Sequence, residues 1–394
     1  MGLGKTYVGS EKMVNLHTKT NLVICQKSKV NDWVEHFRKN YVKYVVADLT
    51  QKNGFDLLNY TIANDDFIVA VINYELAFRR QELANLKDFT LMLDESSLVQ
   101  NESAKRSKFI LKKLSPKNVI LLSGTPTAGR YERLWSQMKL LGWGISKDMY
   151  YKQYVDVEFT PEGYPLIKGY KNVDRLKRKM RELGCVFMKT EEVLNLPIQN
   201  FVDVRVDETK AYKHFKKNGI VTIEDVDLVG DTVLTKLLYS RMLCGHYNEA
   251  KLKAFKDLVD STEDRLIVFY NFNAELDMLN QIAVECGRPT SVVNGQTKDL
   301  SAYENYDDSV TFIQYQAGSM GLNLQKSNKI IYFTPTLSSE MFEQSKKRIH
   351  RIGQEKPCFY YLLKCGIEHH IYDVLAMRKD YTDDLFIEDL KDER

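Results

Sequence analysis

The first residues of the chain combine two glycines with a lysine and a threonine, Gly2-Leu3-Gly4-Lys5-Thr6. Glycines let a backbone approach a phosphate closely, and a helix that starts directly after them aims free N–H groups at it. Lys5 would then bind the β- and γ-phosphates of a nucleoside triphosphate, and the Thr6 hydroxyl would bind Mg²⁺. The full motif has an earlier glycine and a preceding strand, whereas this sequence starts at Met1. Alone, the five residues are also typical of a chance turn before a helix.

An acidic pair, Asp94 and Glu95, directly follows the apolar run Leu91–Leu93. At a strand end that faces a phosphate loop, the first carboxylate can bind the shell of Mg²⁺, and the second can deprotonate an attacking water. Such a pair is also common in a solvated turn, and only the upstream Gly-Lys-Thr motif favours catalysis. Ser123 and Thr125 end the next apolar run. Their hydroxyls can bond the acidic pair, although an ordinary turn has the same composition.

The segment Gln344–Gln354, QSKKRIHRIGQ, is the most specific stretch of the chain. Arg348 and Arg351 are three residues apart, so a helix through them would place both on one face, with Gln344 one turn earlier. Two guanidinium groups on one face fit a triphosphate, because arginine binds phosphate oxygens in pairs and stabilises the charge of phosphoryl transfer. A basic solvated helix is the alternative, and the flanking isoleucines favour a packed element.

Composition is that of a soluble globular protein. Of 394 residues, 44% are hydrophobic and 28% charged, and the net charge of +3 neither requires nor excludes a polyanionic partner. The six cysteines are scattered without a Cys-x-x-Cys pair, which argues against a zinc site or a disulfide framework and indicates a reducing compartment. No apolar stretch has the length of a membrane span, and no signal peptide is recognisable.

Short apolar runs alternate with helix-like segments in both halves of the chain. The predicted strands are Leu22–Cys25, Tyr44–Ala47, Phe67–Ile72, Leu91–Leu93, Val119–Leu122, Leu266–Phe269, Ser291–Val293, Val310–Gln314, Ile330–Phe333 and Phe359–Leu363. The predicted helices include Tyr7–His17, Val30–Phe37, Glu75–Leu86, Ser103–Leu114, Ala274–Cys286, Ser338–Ile349 and Glu368–Met377. This alternation predicts α/β folds with parallel sheets covered by helices on both faces. Functional groups in such sheets gather at the carboxyl ends of the strands.

The regular alternation breaks between the halves. Residues 142–169 are rich in Gly, Tyr and Pro, and the helix predicted at Val173–Leu183 carries a run of Lys and Arg that is more typical of a solvated face than of a binding surface. The predicted organisation is a first lobe at 1–145 without its first strand, a small helical insertion at 146–199, a bridge at 200–248 and a second lobe at 249–394.

Taken together, the motifs resemble those of superfamily-two helicase-like ATPases of the Swi/Snf type, which are DNA translocases with two RecA-like lobes. MGLGKT is similar to motif I, LVICQKSKVNDWVEHF with Trp33 to motif Ia, VINYELA to the following Tyr-Glu motif, LDESS to motif II and LLSGTPTAG to motif III. VFYNFNAELDML resembles motif IV, QAGSMGLNL motif V and QSKKRIHRIGQ motif VI, whose HRIGQ end is characteristic of the family. The resemblance covers almost the whole chain in the right order.

The resemblance implies a role for each motif, with ATP and Mg²⁺ bound in a cleft between the lobes. The implied residues are Gly2, Gly4, Lys5, Thr6 and Asp94 for ATP and Mg²⁺, Glu95, Arg348 and Arg351 for catalysis, Gln344 and Gln354 for their support at the nucleotide, and Ser123, Thr125, Gly318, Gly321 and Asn323 for coupling to nucleic acid. Hydrolysis would step the protein along duplex DNA, which the family grips by its backbone phosphates.

The sequence departs from the family pattern in three places. The segment that normally precedes motif I, with its adenine-contacting glutamine, is absent, motif II reads DESS, and the second lobe is short. The compact form resembles bacteriophage and bacterial versions, so we expect a monomer in a bacterial or phage-infected cytoplasm, with replication or recombination proteins as partners. Two other functions stay open: a nucleic-acid-binding module whose ATPase is impaired by the missing segment, and an RNA-directed helicase.

Overall fold

The computed structural model describes residues 4–124, 130–159, 165–186, 195–223, 225–318 and 322–377. The chain divides into two compact units, residues 3–193 and 194–394. Each unit is built on a parallel sheet with helices on both faces, so the predicted α/β fold class is confirmed. No helix in these ranges has the length and apolar content that crossing a membrane requires.

The sheet of the first unit positions the end of each apolar run. Its strands are β1 (Thr20–Cys25), β2 (Val45–Asp48), β3 (Ile68–Asn73), β4 (Phe89–Asp94) and β5 (Asn118–Leu122). Within the described residues they pair in parallel in the order β2-β3-β1-β4-β5. The flanking helices are α1 (Lys5–Asn15), α2 (Val30–Asn40), α3 (Gly54–Ala63), α4 (Tyr74–Ala77) and α5 (Lys105–Lys112).

Successive side chains of a strand point to opposite faces of the sheet, and here both faces carry apolar side chains that pack against helices. In β1, Leu22 and Ile24 join the core that contains residues of α3 and α5, whereas Val23 and Cys25 join the core that contains residues of α1 and α2. Helix α1 packs against β4 and β5. Gly9 makes this approach close, since a Cβ there would meet Leu122 Cδ1 at 2.7 Å. The helix that follows Gly4 is thus held beside the strand that ends in Asp94.

A smaller subdomain with its own core follows the first sheet. It contains α6 (Trp135–Leu140), α7 (Lys147–Tyr154), β6 (Val155–Phe159), β7 (Pro165–Tyr170) and α8 (Val173–Glu182). Strands β6 and β7 form an antiparallel hairpin. The insertion, predicted as small and helical, contains these helices and also this hairpin, to which the Gly-, Tyr- and Pro-rich stretch contributes.

The second unit has the larger sheet. Its strands are β8 (Gln199–Arg205), β9 (Ile220–Ile223), β10 (Val226–Val229), β11 (Leu266–Tyr270), β12 (Thr290–Val293), β13 (Val310–Gln314), β14 (Lys329–Tyr332) and β15 (Cys358–Lys364). Among the described residues, six of them pair in parallel in the order β12-β13-β11-β14-β15-β8, and β9 and β10 form a separate hairpin. The helices are α9 (Lys210–Asn218), α10 (Val233–Cys244), α11 (Glu249–Asp260), α12 (Asn273–Glu285), α13 (Ser301–Asn305), α14 (Tyr315–Gly318), α15 (Ser339–Lys346) and α16 (Glu368–Ala376).

Two predicted elements differ from the structure in the way they pack. Strand β8, placed by the sequence in a bridge between lobes, pairs with β15 and is an edge strand of the second sheet. The helix predicted at Glu75–Leu86 ends with α4, and a 3₁₀ helix follows at Gln81–Asn85. Phe78 and Leu83 both pack into the same core. Five residues apart, they would lie about 140° apart around a continuous helix, so the chain has to break.

Candidate functional site

The start of α1 is shaped for an anion. Gly4 precedes the helix with φ of 70°, a left-handed conformation that glycine adopts without strain. The first turn of α1 contains no acidic residue, so its free N–H groups and positive dipole end are not neutralised from within the helix. Lys5 and Thr6 are the first two residues of this helix. Gly2, the other predicted glycine, lies outside the described residues.

Lys5 and Glu95 meet at the carboxyl end of β4. The Lys5 Nζ lies 3.1 Å from Glu95 Oε1. Glu95 has φ of 54°, in the left-handed region that side chains with a Cβ rarely adopt. Its other oxygen, Oε2, is buried and has no hydrogen-bond partner among the described residues. Backbone strain and an unpaired buried carboxylate oxygen at one residue are typical of a functional group rather than of a structural one.

Asp94 is held from two sides by aromatic side chains. The Trp33 indole Nε1–H donates to Asp94 Oδ2 at 3.0 Å, and the Tyr74 hydroxyl donates to the Asp94 backbone oxygen at 3.0 Å. Burial raises the pKa of Asp94, and the hydrogen bond from Trp33 opposes that rise. The sequence placed both aromatic residues in family motifs but did not connect either of them to Asp94. For Tyr74, its position directly after the buried strand β3 was the available signal.

Ser123 lies at the same edge of the sheet. Strands β4 and β5 are neighbours, and Asp94 pairs in register with Leu122, the residue before Ser123. The structure therefore brings Lys5, Asp94, Glu95 and Ser123 to the carboxyl edge, where the sequence expected them. Thr125, the second predicted hydroxyl residue, lies outside the described residues.

These groups fit a magnesium–triphosphate ligand. Carboxylate and hydroxyl oxygens, here those of Asp94 and Thr6, are the hard ligands that Mg²⁺ prefers. Lys5 and the start of α1 supply the positive charge and the N–H donors that phosphate oxygens need. The unpaired Oε2 of Glu95 has the acceptor capacity for one more partner.

In the second unit, the predicted shared helical face of Arg348 and Arg351 is wrong. Helix α15 ends at Lys346, and both arginines follow it in a turn. The Arg348 backbone oxygen accepts a bond from the Leu324 N–H, so the chain leaves the helix to pair with another segment. The Arg351 Nη1 donates to Asn323 Oδ1. The segment that resembles motif V, with Asn323 and Leu324, is thus bonded to the segment that resembles motif VI, with Arg348 and Arg351.

The two glutamines make different contacts. Gln354 is buried, and its Nε2 donates to the backbone oxygens of Ser327 at 2.8 Å and Gln325 at 3.2 Å, which ties the turn after α15 to the segment after Asn323. Gln344 lies on α15 and donates to Glu340 Oε1 at 3.1 Å. Their nucleotide contacts stay a prediction. Gly318 ends α14, and Gly321 lies outside the described residues.

Comparison with protein families accounts for both units. Residues 1–249 match the SNF2-related domain, and residues 250–353 match the helicase conserved C-terminal domain. The chain belongs to the SNF2-related family. Because the first match alone covers more than half of the 394 residues, the resemblance read from the motifs is confirmed.

Similar proteins come from cells and viruses. The SNF2-related chain is 22% identical to the ISWI chromatin-remodeling complex ATPase ISW1 of Saccharomyces cerevisiae, over 90% of this chain and 35% of the yeast protein. It is 23% identical to an uncharacterized ATP-dependent helicase of Mycoplasma pneumoniae, over 99% of this chain and 40% of that protein. It is 22% identical to a probable global transactivator of Orgyia pseudotsugata multicapsid polyhedrosis virus, over 96% of this chain and 83% of the viral protein. The chain thus spans two fifths or less of the yeast and mycoplasma proteins.

Among solved structures, the chain is similar to the Sulfolobus solfataricus SWI2/SNF2 ATPase core in complex with dsDNA. The sequence identity is 19% and the TM-score 0.42, over 98% of this chain and 86% of that one.

Proposed function

We propose that this SNF2-related chain is an ATP-dependent DNA translocase. One observation carries the proposal: a lysine at a helix N-terminus meets a strained glutamate at a strand end, beside an aspartate that is held by an indole N–H. Family membership supports the reaction class, because its members named above include an ATPase and an ATP-dependent helicase.

In the proposed mechanism, each predicted site residue has one step. Lys5 and the N–H groups of α1 bind the phosphates, and a bound phosphate attracts Lys5 away from Glu95. The carboxylate released in this way accepts the proton of the attacking water. Thr6 and Asp94 would hold Mg²⁺, which would supply positive charge to neutralise the transferred phosphoryl group. Arg348 and Arg351 supply the further positive charge that phosphoryl transfer requires.

The test is ATP hydrolysis by the whole chain with and without duplex DNA. Lys5→Ala removes the phosphate ligand, so binding of a fluorescent ATP analogue and turnover should both be lost. Glu95→Gln removes only the base, so turnover should fall at least about a hundredfold while nucleotide stays bound. Lys12→Ala, a change at an exposed lysine of the same helix, is the matched control and should leave both properties unchanged.

Several results would contradict the proposal. Turnover of Glu95→Gln at the unmutated rate would refute the assignment of the base. Nucleotide binding by the unmutated chain without any turnover would indicate the alternative function, a nucleic-acid-binding module. Stimulation by duplex RNA but not by duplex DNA would indicate the RNA-directed alternative.

A further inference from the structure

Helix α8 gathers positive charge that the nucleotide site does not use. Residues 165–186 carry seven basic and two acidic side chains, a net charge of +5, whereas the whole chain carries +3. We call residues 165–186 the β7–α8 segment. It lies in the small subdomain that has its own hydrophobic core. The rest of the chain therefore carries a slightly negative net charge, and the excess of basic residues is concentrated in this segment.

The helix is anchored by one apolar side, which leaves the basic side chains outside. Leu176 and Met180 of α8 are buried in the subdomain core. Arg175, Arg178 and Arg181 are exposed. At about 100° per residue these three arginines lie within one third of the helix circumference, on the side away from the core. The arginines thus form one continuous surface rather than a ring.

The charge of this surface is largely uncompensated. Within the segment, Lys179 pairs with Glu182 at 2.9 Å, and Lys168 pairs with Glu158 of the neighbouring strand at 3.3 Å. Asp174 lies on the same side of α8 as the arginines, one turn before Arg178, but forms no ion pair with any described residue. Arg175, Arg178 and Arg181 form no ion pair with any described residue, and neither do Lys171 and Lys177. A surface that only serves solubility intersperses both signs, because unpaired like charges repel one another. The sequence favoured a solvated face, and the excess of basic side chains without an ion pair among the described residues is what changes that interpretation.

We propose that the β7–α8 segment is a second DNA-binding surface, which holds the phosphate backbone of duplex DNA. The proposal rests on the proposed function only in taking duplex DNA as the partner, and it does not depend on hydrolysis. Arg175 and Arg181 are six residues apart, about 9 Å along the helix, which equals the rise of between two and three base pairs. Arginine and lysine contacts to phosphate oxygens carry no sequence information, so we expect this contact to be independent of base sequence.

The experiment compares two triple charge reversals in the full chain. Arg175→Glu/Arg178→Glu/Arg181→Glu removes the proposed surface, and Lys105→Glu/Lys108→Glu/Lys112→Glu makes the same net change on the exposed side of α5 in the same unit. Binding to a fluorescent 30-base-pair duplex is measured without nucleotide at several salt concentrations. The α8 variant should bind at least about tenfold more weakly, with a salt slope lower by roughly 2 to 3, whereas the α5 variant should change less than about twofold.

Two further readouts make each outcome decisive. Circular dichroism and binding of the fluorescent ATP analogue should be unchanged in both variants. In the unmutated chain, duplex DNA should protect Lys177 from acetylation and leave Lys105 reactive. The proposal would be overturned if both variants lost DNA affinity equally, if the α8 variant lost none, or if DNA did not protect Lys177. Each of these results would leave the proposed function intact. If the unmutated chain binds no duplex DNA even at low salt, the DNA-binding part of the proposed function fails as well.

Discussion

At the scale of single residues, the site depends on a hydrogen bond that joins α2 to β4. Trp33 is buried and donates to the Asp94 carboxylate, which burial alone would make hard to ionise. On the same helix, His36 bonds Ser10 of α1 at 2.7 Å. Helix α2 therefore contacts both α1 and the Asp94 carboxylate. We infer that Trp33 is a positioning residue for Asp94.

Trp33→Phe keeps the ring and removes the N–H donor. Because this bond lowers the pKa of Asp94, its loss should raise that pKa and move the acid limb of the ATPase pH profile to higher pH. A hydrogen bond to a charged group contributes about 1.5 to 3 kcal/mol, so the Mg²⁺ concentration for half-maximal binding of a fluorescent ADP analogue should rise about tenfold or more.

A second tryptophan offers the control for this change. Trp135 donates its indole N–H to the Ile145 backbone oxygen at 3.1 Å, an acceptor that is not a carboxylate. Trp135→Phe should lower the free energy of unfolding about as much as Trp33→Phe does. It should leave the pH profile of the ATPase and the Mg²⁺ dependence of nucleotide binding unchanged. If both variants shift these properties equally, or if neither does, Trp33 has only a structural role.

At the scale of elements, a buried ion pair joins α11 to α16. Lys251 Nζ lies 2.5 Å from Glu368 Oε2, and neither side chain is exposed. The same carboxylate oxygen accepts the Cys365 N–H at 3.0 Å. Two charges taken out of water depend on each other, since either one left alone pays the full cost of desolvation.

Lys251→Met should lower the free energy of unfolding by about 3 to 5 kcal/mol, because Glu368 is left buried without its partner. Adding Glu368→Leu should recover most of the lost free energy of unfolding. Lys326→Met breaks the half-exposed pair with Glu304 and should cost less than about 1 kcal/mol. Urea denaturation followed by circular dichroism measures all three, and a double variant no more stable than Lys251→Met would show that the pair is not what joins the helices.

The strands and helices also show which parts of the fold local sequence patterns predict. The ten strands predicted within the two lobes are all present, with ends that agree within two residues, because a strand of this length is signalled by its own local run of apolar residues. The end of α15 was missed because the pattern through Arg348 and Ile349 continues as a helix would. What ends it is the bond between Arg348 and Leu324, which only the folded chain brings together.

At the scale of the whole molecule, each unit has its own sheet and cores, so unfolding need not be a single transition. His246 lies in the second unit, buried against Tyr247 and Phe272. Burial lowers the pKa of His246 to about 4. The imidazole of the unfolded chain binds its proton near pH 6.5, while that of the folded chain does not until about pH 4.

Stability should therefore be lost as the pH falls from 6.5 towards 4, and His246 should account for about 2 kcal/mol of that loss by pH 4.5. His246→Phe removes the titrating group and should flatten the pH dependence of the transition that belongs to the second unit. His214→Phe, at an exposed site of α9, is the control and should not. Scanning calorimetry between pH 4.5 and 7.5 measures both, and equal slopes in the two variants would exclude His246 as the cause.

The sequence by itself determined the α/β class, the order of the motifs, the family and the gathering of Lys5, Asp94 and Glu95 at one sheet edge. Each of these follows from local periodicity or from a short run of residues. Only the tertiary structure decided that β8 belongs to the second sheet, that Trp33 bonds Asp94 and that the arginines of α8 form no ion pair with a described residue. These depend on residues far apart in the chain: Asn200 of β8 bonds Cys358 across 158 positions, and Trp33 bonds Asp94 across 61. No local pattern encodes such pairs, because the packing of the whole unit selects them.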